Sequence, residues 1–167
     1  AKMFLYAISY GAGDAKLASI LGCTTAQAKR KIQAYWKENV GLKKLTEALE
    51  TEYSRNGYIT GLDGRRLYIR HKHKLLNTSI QNAATVVFKK WMVKCDEVIG
   101  ATLKPGVSQV LAYHDELGFE VKTTEQPVAE KWGNYLADQA RIAGEALNLN
   151  VPISAGPKVG KKYSEVH

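Results

Sequence analysis

Hydrophobic positions along the chain change their spacing twice, and each change marks a new kind of element. Over residues 2 to 10, Phe4, Leu5 and Ile8 are available for packing on a helix that ends in the flexible Gly11-Ala12-Gly13. A short helix is expected over Asp14 to Leu21. Thr24 and Gln27 stand at capping-box spacing before Ala28 to Trp36, and an amphipathic stretch from about Leu42 to Tyr53 stops at Asn56-Gly57. The first third therefore reads as helical.

At Tyr58 the pattern shortens. Tyr58-Ile59-Thr60 and Leu67-Tyr68-Ile69 flank Leu62-Asp63-Gly64, which predicts a hairpin across an Asp-Gly turn. Helical spacing returns in Leu76, Ile80, Ala84, Val87, Trp91 and Val98, so a long helix is expected from Lys74 to Gly100. Val107 to Tyr113 is strand-like, and Leu117, Phe119 and Val121 alternate after it, giving a second hairpin with His114-Asp115-Glu116 at its tip. Pro127 opens a last helix to Leu147, Val151-Pro152-Ile153 suggests a short edge strand, and the end reads as loop. Helices with two separate hairpins make the fold class α+β.

Composition adds a partner class. The 167 residues carry 24 Lys and Arg against 16 Asp and Glu, a net charge of +8 that favours an anionic partner such as nucleic acid, although a merely basic surface has the same charge. Cys23 and Cys95 are far apart and lack metal-ligand spacing, so two free thiols in a reducing, cytoplasmic compartment are expected. No apolar run is long enough to span a membrane and the start has no signal-peptide order, so no membrane partner is expected. The first helical pattern begins at once, without a capping residue, and reads as a chain beginning inside an element.

Three groups of residues could carry chemistry. Lys2, Tyr6 and Tyr10 lie four apart, so one helix face would present a cation and two aromatic plates, suited to a phosphate and to bases. A tyrosine stripe packed in a core has the same spacing. His73, Asn77 and Gln81 repeat it on the long helix, where their polar groups could reach the minor-groove acceptors that all base pairs share, or simply face solvent. Asp115 and Glu116 are adjacent carboxylates at a hairpin tip, oxygen ligands of the kind Mg²⁺ takes, or else an acidic turn without a metal.

Taken in order, these groups resemble family A (DNA polymerase I-type, phage-like) DNA polymerases over essentially the whole chain. Lys2-Met3-Phe4-Leu5-Tyr6-Ala7-Ile8-Ser9-Tyr10-Gly11 resembles the K-x-x-x-[FY]-x-x-x-Y-G end of motif B, the fingers O helix. Gly64-Arg65-Arg66 followed by Asn77 to Ala84 is similar to the G-R-R and N-x-x-x-Q-x-x-A palm segment, and Tyr113-His114-Asp115-Glu116 to motif C. The ending Gly160 to His167 resembles phage C-termini. The resemblance implies a partial fingers subdomain over 1–57 and a partial palm, antiparallel hairpins packed with long helices, over 58–167.

The resemblance also implies roles. Lys2 would contact the incoming triphosphate, Tyr6 would stack near its base and sugar, and Tyr10 with Gly11 would lie against the template base. Asn77 and Gln81 would follow the minor groove of primer-template DNA, with Arg70 and His73 as further backbone or groove contacts and His114 at the primer end. Asp115 would bind metal, with Glu116 as a nearby carboxylate, in a centre of two Mg²⁺ ions that could accept Mn²⁺. The implied reaction is DNA-directed transfer of a nucleotide from a deoxynucleoside triphosphate to a primer 3′-hydroxyl, in a bacterial or phage-infected cell.

One part of the pattern is missing. Motif A, with the family's other metal-binding aspartate, and the motif B arginine have no counterpart here. Of the five aspartates (Asp14, Asp63, Asp96, Asp115 and Asp138) only Asp115 has a metal-site context. The chain alone is therefore expected to be inactive, with an upstream polymerase segment or a partner chain supplying motif A. A second reading is a non-catalytic DNA-binding half of a split polymerase. A single-subunit RNA polymerase shares the Lys and Tyr-Gly of motif B but carries Ser after His-Asp, so Glu116 and Tyr6 argue for the DNA enzyme.

Overall fold

The computed structural model describes residues 2–101 and 106–166, which form two compact units, Ala1–Ala83 and Ala84–His167. Both are α+β. Ala1 and His167, the latter the end of the predicted C-terminal motif, lie outside the described residues.

In the first unit, α1 (Lys2–Ser9), α2 (Asp14–Leu21), α3 (Thr25–Glu38) and α4 (Val40–Asn56) follow one another. The capping box forms as the spacing predicts: Gln27 N–H donates to Thr24 Oγ1 at 3.3 Å, and Thr24 N–H to Gln27 Oε1 at 3.0 Å. From that start α3 turns Ala28, Ile32, Tyr35 and Trp36 to one side, where Ile32, Tyr35 and Trp36 meet Ala7, Ile8 and Leu17. Leu5, expected to pack, is 45% exposed, because it lies at the edge of the face on which Phe4, Ala7 and Ile8 pack.

Trp36 also belongs to the second core cluster, formed by Leu49, Ile59, Ile69, Leu75 and Leu76. Ile59 and Leu75 are among the most completely buried side chains, each contributing roughly 2 kcal/mol of transfer free energy. They anchor the first hairpin, β1 (Ile59–Thr60) paired antiparallel with β2 (Arg66–Leu67). Tyr53 Oη donates to Ile69 O at 2.9 Å and holds the chain leaving that hairpin. The long helix α5 (Leu75–Ala101) follows a 3-10 turn, Lys72–Lys74. His73 is thus in that turn and not on the helix with Asn77 and Gln81, a correction to the predicted stripe. Ile80, expected on the apolar face, is 41% exposed, since Leu75 and Leu76 fill the core instead.

In the second unit β3 (Val107–Tyr113) and β4 (Glu116–Val121) pair antiparallel and pack through Val107, Leu117, Phe119 and Val121 on Trp91, Cys95, Leu136 and Trp132. The register runs Gln109 to Phe119 and then Leu111 to Gly118, leaving Val110 as a bulge, 57% exposed. α6 (Gln126–Ala146) starts with Pro near its first position and buries Leu136, Gln139, Ala140, Ala143 and Gly144.

No strand forms at Val151-Pro152-Ile153; the expected edge strand is corrected to an irregular segment whose Ile153 lies against Gly144 of α6. A Cβ at Gly144 would lie 2.9 Å from Ile153 Cγ1, and one at Gly133 would lie 3.1 Å from Pro157 Cβ. These glycines are eleven positions apart, about three helical turns, so they share a face and leave a groove for the tail. The tail is therefore held by side-chain packing on a helix and not by a ladder. The end, expected as loop, closes with a short helical turn, α7 (Tyr163–Val166).

Candidate nucleotide and DNA contacts

Apolar packing on one side of α1 decides what its other side presents. With Ala7 and Ile8 buried and Phe4 edge-on to Tyr35 at 5.7 Å, Lys2, Tyr6 and Tyr10 are left outward. Tyr6 is 55% and Tyr10 54% exposed, which removes core packing as the reason for the tyrosine stripe. Lys2 Nζ stands 5.7 Å from the centre of the Tyr6 ring, within cation–π range, so cation and ring act as a pair. Tyr10 lies one residue past the helix, and its N–H still donates to Tyr6 O at 2.9 Å. The result is an exposed row of one ammonium and two rings, chemistry suited to a phosphate beside stacked bases.

The chain leaves this row through Gly11, whose φ of +69° favours glycine. It has no room for a side chain either, because a Cβ would fall 2.4 Å from His73 O. The end of the row is thereby brought against the 3-10 turn, where the His71 and His73 rings stack at 5.5 Å. Arg70 is exposed just before that turn, and Asn77, half-buried, and Gln81, exposed, follow on α5 one helical turn apart. Lys2, Tyr6, Tyr10, Gly11, Arg70, His73, Asn77 and Gln81 all belong to the first unit.

His114, Asp115 and Glu116 belong to the second unit. Tyr113 pairs with Glu116, so the loop is the two residues His114 and Asp115, and Glu116 already stands in β4. The predicted three-residue tip is corrected to two. His114 has φ 51°, a region costly for a residue with a side chain, and its ring lies edge-on to Tyr113 at 4.3 Å. This turn sends the exposed Asp115 carboxylate off the end of the strand pair. Beneath it the hairpin rests on a fixed floor: Trp91 Nε1–H donates to Leu136 O at 2.8 Å, and the Cys95 thiol donates to the same oxygen at 3.6 Å.

Two neighbouring carboxylates with oxygen-only donors fit a hard divalent cation. Among the described residues, however, no cluster of three or more His, Cys, Asp or Glu could hold a metal ion by itself.

A further basic group had no role assigned from the sequence. Arg66 lies 5.0 Å over the Tyr58 ring, Tyr58 and Tyr68 are 5.7 Å apart, and Tyr68 is 73% exposed. The Arg-Arg pair was visible in the sequence, but the aromatic partners converge only once β1 and β2 pair.

Comparison with known proteins gives this geometry a context. The chain is 32% identical to the DNA-directed DNA polymerase of Escherichia phage Phieco32, covering 100% of this chain and 28% of that protein. It is 26% identical to the DNA-directed DNA polymerase of Escherichia phage T7, over 100% of this chain and 26% of the relative. With DNA polymerase I of Bacillus subtilis it shares 30% identity over 92% of this chain and 18% of the relative. The chain therefore spans between a sixth and a third of the length of these relatives. Among solved structures, the polymerase domain of Pol1 from M. smegmatis, in complex with DNA primer-template and dNTP, superposes with a TM-score of 0.76 at 25% identity, over 92% of this chain and 28% of that one. The family model for DNA polymerase family A matches residues 1–165, and on that match, with the α+β fold that accompanies it, this chain belongs to DNA polymerase family A.

Proposed function

We propose that this chain is the part of a DNA-directed DNA polymerase that receives the incoming nucleotide, follows the minor groove of the growing duplex and supplies one side of the metal centre. The carrying observation is the outward row of Lys2, Tyr6 and Tyr10, whose rings are more than half exposed although they follow the spacing of a packed helix. In this reading Lys2 neutralises the triphosphate, Tyr6 stacks near base and sugar, and Tyr10 with Gly11 meets the template base. Asn77 and Gln81 donate to N3 and O2 acceptors that correct base pairs present alike, with Arg70, His73 and His114 along the primer-template. Residues 1–57 act as fingers and 58–167 as palm.

The primer 3′-hydroxyl would give up its proton to solvent as its oxygen attacks the α-phosphorus, forming a new P–O bond as the bond to the pyrophosphate oxygen breaks, with pyrophosphate carrying away the electron pair. Divalent ions, Mg²⁺ or Mn²⁺, would supply charge neutralisation at the attacking and leaving oxygens. Asp115, with Glu116 beside it, would hold them, and Lys2 would bind the triphosphate. A two-ion centre needs carboxylates on both sides, so the 167 residues by themselves would bind DNA without extending it. Among the described residues no helix is long and apolar enough to cross a membrane, and the work proposed is that of the cytosol.

A second reading, a non-catalytic DNA-binding half of a split polymerase, is favoured by the lack of a complete metal cluster among the described residues. Primer extension separates the two. This chain is expected to be silent alone and active when a polymerase segment bearing the second aspartate is added, with Asp115→Ala abolishing that activity. Extension by the chain alone would overturn the shared-centre mechanism, and DNA binding with no extension in either mixture would leave the binding reading.

A further inference from the structure

One side chain ties the basic hairpin to α5. Asn82 Oδ1 accepts the Leu62 N–H at 3.2 Å. Gly61 presses against the same amide: a Cβ there would lie 2.4 Å from Asn82 Oδ1 and 3.0 Å from its Cγ. The turn also closes on itself, Gly61 N–H donating to Arg65 O at 2.8 Å and Gly64 N–H to Gly61 O at 2.9 Å, while Asp63 pairs with the Arg65 guanidinium. Those bonds give the turn its shape. Packing of Ile59 and Leu67 holds the strands, and beyond them it is the Asn82 amide that fixes the turn to the helix.

Asn82 follows Gln81, so it projects about 100° round α5 from it. The hairpin consequently docks on the flank of the helix, and Gln81 remains exposed. Arg65 and Arg66, both exposed, lie in the hairpin that Asn82 ties to the helix bearing Asn77 and Gln81. A minor groove about 6 Å wide is bordered by phosphates, so cations held beside a groove-facing stripe stand where those phosphates pass.

We propose that Asn82 is a positioning residue for duplex DNA: by holding the Leu62 N–H it fixes the turn bearing Arg65 and Arg66, which bind backbone phosphates flanking the groove. The inference rests on the duplex-binding reading above. Its energetic basis is preorganisation, since a turn already docked loses less freedom when its arginines engage.

The test combines Leu62 amide exchange by NMR with fluorescence anisotropy on a primer-template duplex. In Asn82→Ala the Leu62 amide should lose protection and duplex affinity should fall about fivefold. Gly61→Ala, which strikes the same contact from the hairpin side, should do both as well, whereas Asn82→Asp keeps the acceptor and the Leu62 protection. In an Arg65→Ala/Arg66→Ala background the effect of Asn82→Ala on affinity should vanish, an outcome that simple destabilisation would not give. Lost Leu62 protection with unchanged affinity, or an undiminished effect in the double-alanine background, would overturn the proposal while leaving duplex binding intact. A parent chain without duplex affinity would overturn the duplex-binding reading, and this inference with it.

Discussion

Cys95 has no exposed surface, and burial against Leu136 and Val107 pushes its thiol up from 9.0 to about 12. The folded form therefore keeps its proton at a pH where the unfolded chain would lose it. The resulting stability is present below pH 9.0 and lost as pH rises towards about 12. Thermal melts should show the second unit's midpoint falling across that window, and Cys95→Ala should remove much of the slope. Cys23, half-buried, should be alkylated in the native state while Cys95 is spared, which mass spectrometry would read. Spacing alone marked both cysteines as free thiols; it could not rank them, because burial is a property of what packs around a residue. The same limit applied to Tyr6 and Tyr10, whose spacing suits a core as well as a stacking row. Burial of Ala7 and Ile8 on the other side decided between them.

Among elements, the second hairpin depends on one close approach. Gly118 faces Leu111 directly after the Val110 bulge, and a Cβ on it would lie 2.8 Å from Leu111 Cβ. Gly118→Ala should therefore push the strands apart where the bulge sets their twist, costing about 1 to 3 kcal/mol. Chemical denaturation would measure the loss, and in the complete polymerase the displaced Asp115 turn should lower extension more than DNA binding. By contrast Thr24→Ala removes only a cap and should cost about 1 kcal/mol, with DNA affinity unchanged. Alternating Leu117, Phe119 and Val121 announced this hairpin in the sequence, but the bulge and the two-residue loop emerge from strand register. The Val151 to Ile153 segment shows the opposite case: its composition suits a strand, yet without a ladder the glycine face of α6 takes it.

For the whole molecule the net charge of +8 is a statement about partners. If duplex binding runs through phosphates, log affinity should fall linearly with log salt, and removing Arg65 and Arg66 together should reduce the slope by about 1.8. A slope unaffected by that change would move the phosphate contacts elsewhere. Helices, hairpins, the capping box and the order of Lys2, Tyr6, Tyr10, Asn77, Gln81 and Asp115 were readable along the chain, because periodicity, caps and motif spacing are local properties. Tertiary structure decided which faces stay exposed, brought Gly11 against His73, joined Arg66 to Tyr58 and locked Leu62 to Asn82. Each of these depends on residues distant in sequence meeting at a few ångströms, and no spacing rule encodes that.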